Sequence, residues 1–498
     1  MEDILKIAIA SGLKFKSGNN IVSTEYIPNN TFGVFVGVER SAKHKLNTWP
    51  HDIHGCIGYW DPNYNTMIKS NIVKKIREVA YSATWEDERR NYFKNSIYVD
   101  LLAKYKIYYM LEPIMEIDSS TGIIIANSEL FNNKIYGLIV ESSNSLNRAT
   151  YLPDVFPDKP WTYIKESLIQ KANIYDNNIK FYAYNCQIIS MSIADYFFVP
   201  IQDFFNKNYN IFIPYSISSN DDIYIDEHEN VRNLASIYDI LQMQKYGYGI
   251  SNKTFTAIKN NIEYYKHKYE SNPQSMRQAS AFLILCLYIL NKNDKFVHTI
   301  KNYLLGELQF QNKYDEHAVS FKSSSGNLEN IPNSTTVNFV PLDKNFELGE
   351  ILMALNIVES NNPIVVRETN KIPLIDKDEQ SDIDIFRYNW FSKSVSKINN
   401  KYYKYNLIKK VINYIDTYQN YNETNYYAVE FETLATLYSK ITNSKTKLLI
   451  EKYIEKILIQ IENRKNKYGL YQFKNGETRI DITGHIMNGL FSLLLLLI

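Results

Sequence analysis

The chain has 498 residues, 45% of them hydrophobic and 22% charged, a balance that excludes disorder and at this length calls for more than one hydrophobic core. Lys+Arg is 55 against Asp+Glu 54, so no overall electrostatic bias gathers nucleic acid or an anionic membrane around the molecule, and neither is expected as a partner. The three cysteines, Cys56, Cys186 and Cys286, are odd in number, far apart and not preceded by a signal-peptide pattern, which points to a reducing, cytoplasmic compartment. The long apolar run Ile486 to Ile498 has 13 residues, short of the ~20 that span a bilayer, and is expected to be a buried final helix.

From Asp3 to Asp195 short apolar alternations (Gly33 to Val38, Ile107 to Met110, Gly137 to Val140) mix with amphipathic stretches (Asn71 to Ser82, Tyr163 to Ala172), an α/β or α+β signature. Residues 196–230, with Pro214 and a Ser-Ile-Ser-Ser-Asn-Asp-Asp run, show no sustained period and are expected to be a linker. From Val231 onward the pattern is helical only: Arg232 to Gln244, Thr254 to Tyr269, Met276 to Asn291, Lys295 to Gln311, Phe346 to Glu359, Tyr405 to Thr417, Asn425 to Ile441, Lys445 to Asn463 and His485 to Leu497. Two polar stretches, Ser323 to Thr336 and Asn361 to Asp382, are expected to be loops within this half. A weak repeat places a glutamine-bearing helix end before a Tyr or Tyr-Gly turn at Leu241 to Gly247, Leu308 to Tyr314 and Leu458 to Gly469, as helix-pair corners would. The expected layout is thus an α/β domain over 1–195, a linker over 196–230 and an all-α domain over 231–498.

The most informative segment is Thr31-Phe32-Gly33-Val34-Phe35-Val36-Gly37-Val38 followed by Ile53-His54-Gly55-Cys56-Ile57-Gly58. Downstream come Ala80, Ala83, Asp87 and Arg89, then Leu111-Glu112-Pro113, Gly137 to Val140, Ala149 to Val155, Trp161, Leu168 and Lys171-Ala172. In this order the motifs resemble the AMMECR-one family over about Leu5 to Ser190. The sequence departs from the family at His54, where an arginine is usual, and in the longer hairpin Arg40 to Asp52. The resemblance implies an α/β domain without a settled activity, one that travels with Memo-type and radical-SAM proteins and so suggests an accessory component of a modification system. It implies no metal, and no cofactor is expected.

Two readings of Cys56 stand side by side. Gly55 and Gly58 bracket it and permit close backbone approach, and in an extended strand His54 and Cys56 project to one face, where an imidazolium would raise the thiolate fraction. A cleft containing Cys56, His54, Gly55, Gly58, Asp87 and Arg89 is then expected. Otherwise Cys56 is a small buried hydrophobe and Asp87 with Arg89 an ordinary ion pair. His51, His54 and Cys56 are metal-ligand types, but they make one local arm only.

In the helical half, Phe346 to Leu355 resembles a helix start of α/α-toroid proteins related to glycan-processing enzymes, with Leu348 in place of a proline. Tyr468-Gly469-Leu470 through Asp481 to His485 resembles the loop before the closing helix of such toroids. Toroids hold ligands where the inner-helix N-termini converge. Glu350, Trp390, Glu430, Asp481 and His485 are the residues expected at this funnel, Glu350 and Asp481 being candidates for an acid–base pair or, alternatively, for helix caps. Two functions remain open: an adaptor whose cleft and funnel hold partner segments, favoured because no full acid–base set assembles from sequence, and an enzyme with a Cys56 thiol site or a carbohydrate-processing toroid.

Overall fold

The computed structural model describes every residue except 1, 17–21, 47–51, 144–145, 176–177, 326–340, 344–345, 379–384, 401, 419–420, 475 and 498. The chain divides into two compact units, Met1–Tyr196 and Phe197–Ile498.

The first unit contains helix α1 (Glu2–Gly12), strands β1 (Thr31–Glu39) and β2 (Ile53–Trp60), helix α2 (Lys69–Trp85), then strands β3 (Lys104–Ile117), β4 (Ile123–Ile124), β5 (Glu129–Leu130), β6 (Tyr136–Ser142) and β7 (Arg148–Tyr151). Helix α3 (Trp161–Ala172) and strand β8 (Ile179–Ser192) complete it. The sheet is antiparallel in the order β2-β1-β3-β8-β6-β7, with the β4–β5 hairpin paired to β3. Alternation along β1 explains its two faces. Val34, Val36 and Val38 lie opposite Tyr109, Ile107 and Tyr105 of β3, and Tyr105 reaches the Thr84 hydroxyl of α2 at 3.0 Å, so this is the helix-covered face. α2 commits Ile72, Val73, Ile76, Val79, Ala80 and Ala83 to it at helical spacing. Phe35 and Gly37 take the opposite face.

The second unit is helical: α4 (Ile193–Asn208), which carries the chain across the division, then α5 (Asn230–Lys245), α6 (Asn252–Ser271), α7 (Arg277–Asn291), α8 (Lys295–Ser325), α9 (Glu347–Val358), α10 (Pro363–Asp378), α11 (Ile385–Ser394), α12 (Tyr403–Thr417), α13 (Thr424–Ser439), α14 (Ser444–Glu462) and α15 (Ile480–Leu494). Short strands β9 (Ser216–Ile217), β10 (Ile223–Tyr224) and β11 (Thr478–Arg479) form a small sheet. Burial sorts the helices into two rings. α7 and α13 are buried nearly all round, α13 from Tyr427 through Tyr438 without interruption, whereas α12 buries one stripe, Tyr403, Leu407, Ile408, Val411 and Ile415. An all-round buried helix is packed on every side and a striped one faces water. The packing agrees: α5, α7, α9, α11, α13 and α15 each contact the next, and α15 returns to α5, while α6, α8, α10, α12 and α14 pack outside them. Among the described residues the inner helices therefore close a ring of six, an α/α toroid.

Three expectations change. The linker over 196–230 contains most of α4 together with β9 and β10, because Phe197, Phe198, Ile201 and Phe205 are core residues. The polar stretch Asn361 to Asp382 is largely helix α10, started by Asn362, whose side chain accepts from the Ile364 N–H at 3.0 Å, with Pro363 at the first helical position where its missing N–H costs nothing. Leu308 to Gln311 lies inside α8 and marks no corner. From residue 326 on, the stretch Ser323 to Thr336 lies outside the described residues.

Candidate functional site

The first unit carries a cleft of about 670 Å³ on the sheet face away from α2, lined by Phe35, Gly37, Cys56, Arg89, Tyr108 and Lys171 among others. Cys56 stands opposite Gly37 in the β1–β2 ladder, so the floor beside the thiol is bare backbone. Asp87 ties the region together from beneath: its carboxylate accepts from the Cys56 N–H (3.0 Å), the Arg89 N–H (3.0 Å) and Arg89 Nε (2.8 Å), and Arg89 donates to the Cys56 carbonyl at 3.2 Å. Burial would raise the Asp87 carboxyl, but these donors and the guanidinium charge hold it below the ordinary range.

His54 is not on the cleft. The β1–β2 register jumps from Val38↔Gly55 to Glu39↔Ile53, so His54 is the extra residue of a bulge, and the bulge reverses the alternation that would have put it beside Cys56. Its Nε2 lies 2.9 Å from the Thr84 carbonyl of α2, and burial followed by the Arg40 charge lowers its pKa to about 4. The imidazole is neutral and faces away from the thiol. Burial pushes the Cys56 thiol up to about 11 against the pull of Arg89 and Lys171. Gly55 is pressed against α2, where a Cβ would lie 1.9 Å from the Ala83 carbonyl, and Gly58 lies under the Phe35 ring; neither lines the cleft. His51 lies outside the described residues.

The second unit has a cavity of about 370 Å³ inside the ring. Its wall is drawn from the first turns of the inner helices: Arg232 of α5, Gln278 of α7, Glu350 of α9, Phe386 of α11, Asn425 of α13, and Asp481 with His485 of α15. All six inner N-termini thus point to one place, as helix dipoles favouring hydroxylated or anionic groups would have it. Glu350, Trp390, Asp481 and His485 line this cavity.

Glu430 does not line it. Glu430 bonds the Tyr421 hydroxyl at 2.8 Å on the other side of α13. Two residues along a helix turn the side chain by ~200°, and Glu432 meets Asn389 of α11 and His485 of α15 instead. Asp481 is spoken for by guanidinium groups, Arg479 Nε at 3.0 Å and Arg232 Nε at 3.4 Å, and it makes no side-chain cap for α15. The carboxyl that joins Glu350 is Asp239 of α5. Burial pushes Glu350 up to about 8, and burial followed by repulsion from Glu432 pushes Asp239 up to about 7. Both are thus acids near neutrality. Gly484 makes room for Asp239, since a Cβ there would lie 2.3 Å from Oδ2. Glu350 Oε2 and Trp390 Nε1 are buried without a hydrogen-bond partner. Buried polar atoms without a partner are costly, and both belong to side chains that line the cavity.

Asp239, Lys393 and Glu432 were missed in the sequence. Asp239 sits amid an apolar run, Ile237-Tyr238-Asp239-Ile240-Leu241, where an acid is out of place unless partnered; that signal was readable.

The first unit is an antiparallel α/β domain with one helix-covered sheet face, and the second is an α/α toroid. Residues 5–189 match the family model described as AMMECR1, so the chain carries an AMMECR1 domain in its first unit. No curated protein matches the chain. A crystal structure of an unsaturated glucuronyl hydrolase specific for heparin is similar at a TM-score of 0.40 and 9% identity, covering 60% of this chain and 95% of that one. Among the described residues no helix is long and apolar enough to cross a membrane.

Proposed function

We propose that the helical unit binds a sugar-like, hydroxyl-rich ligand in its ring cavity and that Glu350 serves there as a general acid. The observation that carries this reading is that Glu350, Trp390 and Asn425 line one cavity and each keeps a buried polar atom, Oε2, Nε1 and Oδ1, without a hydrogen-bond partner. A carboxyl kept protonated by burial can donate to a leaving or ring oxygen, which is what acid catalysis at a glycosidic bond needs. Around it, Phe282, Phe346, Phe386 and Trp390 offer apolar faces, while Gln278, Asn425 and Asn488 offer amide donors and acceptors. That mixture suits a ring with one apolar face and an equatorial rim of hydroxyls. It also reverses the balance struck from sequence, where an adaptor was favoured for lack of an acid–base set.

Trp390 supplies the test, because the other four tryptophans, Trp49, Trp60, Trp85 and Trp161, all precede residue 197. In the full chain labelled with 5-fluorotryptophan, the resonance lost in Trp390→Phe reports on the cavity. A panel of neutral, N-acetylated and uronic-acid disaccharides should include members that shift this resonance saturably, with the effect abolished in Glu350→Ala. A panel that leaves it unmoved, while short peptides shift it, would replace the sugar reading with the adaptor.

A further inference from the structure

Glu432 is fully buried in the ring wall, yet three side chains from two neighbouring inner helices converge on it. His485 of α15 places Nδ1 2.7 Å from Oε2, Asn389 of α11 donates Nδ2 to the same oxygen at 2.6 Å, and Lys393 of α11 contacts Oε1. Burial alone would raise this carboxyl, but the Lys393 and His485 charges hold it well below the ordinary range. A carboxylate accepts hydrogen bonds and cannot donate them. The proton of a neutral His485 must therefore sit on Nδ1, leaving the lone pair on Nε2. His485 lines the cavity, and Nε2 has no protein partner among the described residues.

We propose that Glu432 and His485 form a proton-handling dyad of the cavity, with His485 Nε2 as the base toward a ligand hydroxyl and Glu432 as its positioning residue. This rests on the sugar-like ligand argued above. In the step, the ligand O–H bond breaks and its electron pair stays on oxygen. The proton forms a new N–H bond at Nε2, and the resulting imidazolium is stabilised by the Glu432 carboxylate; the reverse transfer restores both groups. Lys393 keeps Glu432 ionised throughout, so the dyad needs no other group to reset it.

The test uses the full chain labelled with ¹⁵N-histidine, the His485 signals being those lost in His485→Gln. Long-range proton–nitrogen correlation should find neutral His485 with its proton on Nδ1, and Glu432→Gln should lose that preference because its amide can turn and donate instead. Acylation by diethyl pyrocarbonate, which needs the free Nε2 lone pair, should modify His485 in the native protein and slow by ~10-fold in Glu432→Gln. A disaccharide that shifts the Trp390 resonance should protect it. A proton on Nε2 in the native protein, or equal acylation rates in native and variant, overturns the dyad, and the first result needs no variant to fold. The expected tautomer and rates without protection by any disaccharide support the dyad and overturn the sugar reading alone.

Discussion

Replacing Glu350 with Gln should make the helical unit more stable at neutral pH while removing its acid. Glu350 is 2% exposed, and burial lifts its carboxyl from 4.5 to about 8. Between those values the unfolded chain has released the proton and the folded chain still holds it, so this group's contribution to stability declines as pH rises, by ~1.4 kcal/mol per unit. Moving from about pH 5 to about pH 7.5, both inside the window, costs ~3 kcal/mol from this side chain. Gln keeps the shape and has no proton to lose, so the variant escapes that decline. Asp239 and Glu430 are raised in the same sense, but they titrate in both proteins and cancel in the difference. The assay is urea unfolding at the two pH values, followed through the fluorine resonance of Trp390, which reports the helical unit alone. The gap between Glu350→Gln and the native protein should widen by ~3 kcal/mol on going to the higher pH. A gap that stays constant refutes the claim that Glu350 is held protonated by burial.

Arg40→Ala should destabilise the AMMECR1 unit by about 3 to 5 kcal/mol in thermal or denaturant unfolding, because Arg40 Nε bonds Asp100 Oδ2 at 2.7 Å with both side chains buried, and the variant strands the carboxylate. A loss under ~1 kcal/mol would mean that water replaces the guanidinium. Gly484→Ala drives a methyl into the Asp239 carboxyl; it should weaken any ligand response of the Trp390 resonance, and an unchanged titration would take Asp239 out of the site. Iodoacetamide labelling of Cys56 should stay slow at neutral pH and climb only toward its raised pKa of about 11. His54→Ala should leave that profile unmoved, since His54 faces α2; a midpoint below ~8.5 in the native protein would restore the activated thiol.

Sequence revealed what depends on local period and chain order. The alternation Gly33 to Val38 and the Gly-Cys-Ile-Gly run became paired strands, and eight of the nine expected helices lie within a few residues of their observed ends, the fourth, Lys295 to Gln311, extending to Ser325 as α8. What it hid is tertiary. α10 reads as polar loop because it lies in the outer ring with one face to water, and α11 is too short and too evenly buried to show a stripe. The placement of His54 turned on one bulge, which strand periodicity cannot foresee because a single inserted residue inverts it. Glu430 and Glu432 look equivalent in the chain, and only the rotation of α13 decides which of them meets His485 and Lys393 of the cavity wall. Glu350, Trp390 and Asp481 could be grouped by analogy with toroid helix starts, but Asp239 and Lys393, which share the cavity wall with them, and Glu432, which bonds His485 and Lys393, carry no such mark in the sequence.

The return of α15 onto α5 has a consequence for when the site exists. α15 supplies Asp481, His485 and Asn488 to the cavity wall, and its neighbour across the closing seam, α5, supplies Arg232 and Asp239. Some 240 residues separate those two faces, so the seam is among the most non-local contacts of the unit and its closure is an entropically late event. During synthesis, α5 through α14 can emerge and pair with their neighbours while the cavity still lacks a wall. A ligand that binds the finished ring is therefore a ligand for the closed state only, and its concentration favours that state over any in which α15 is undocked.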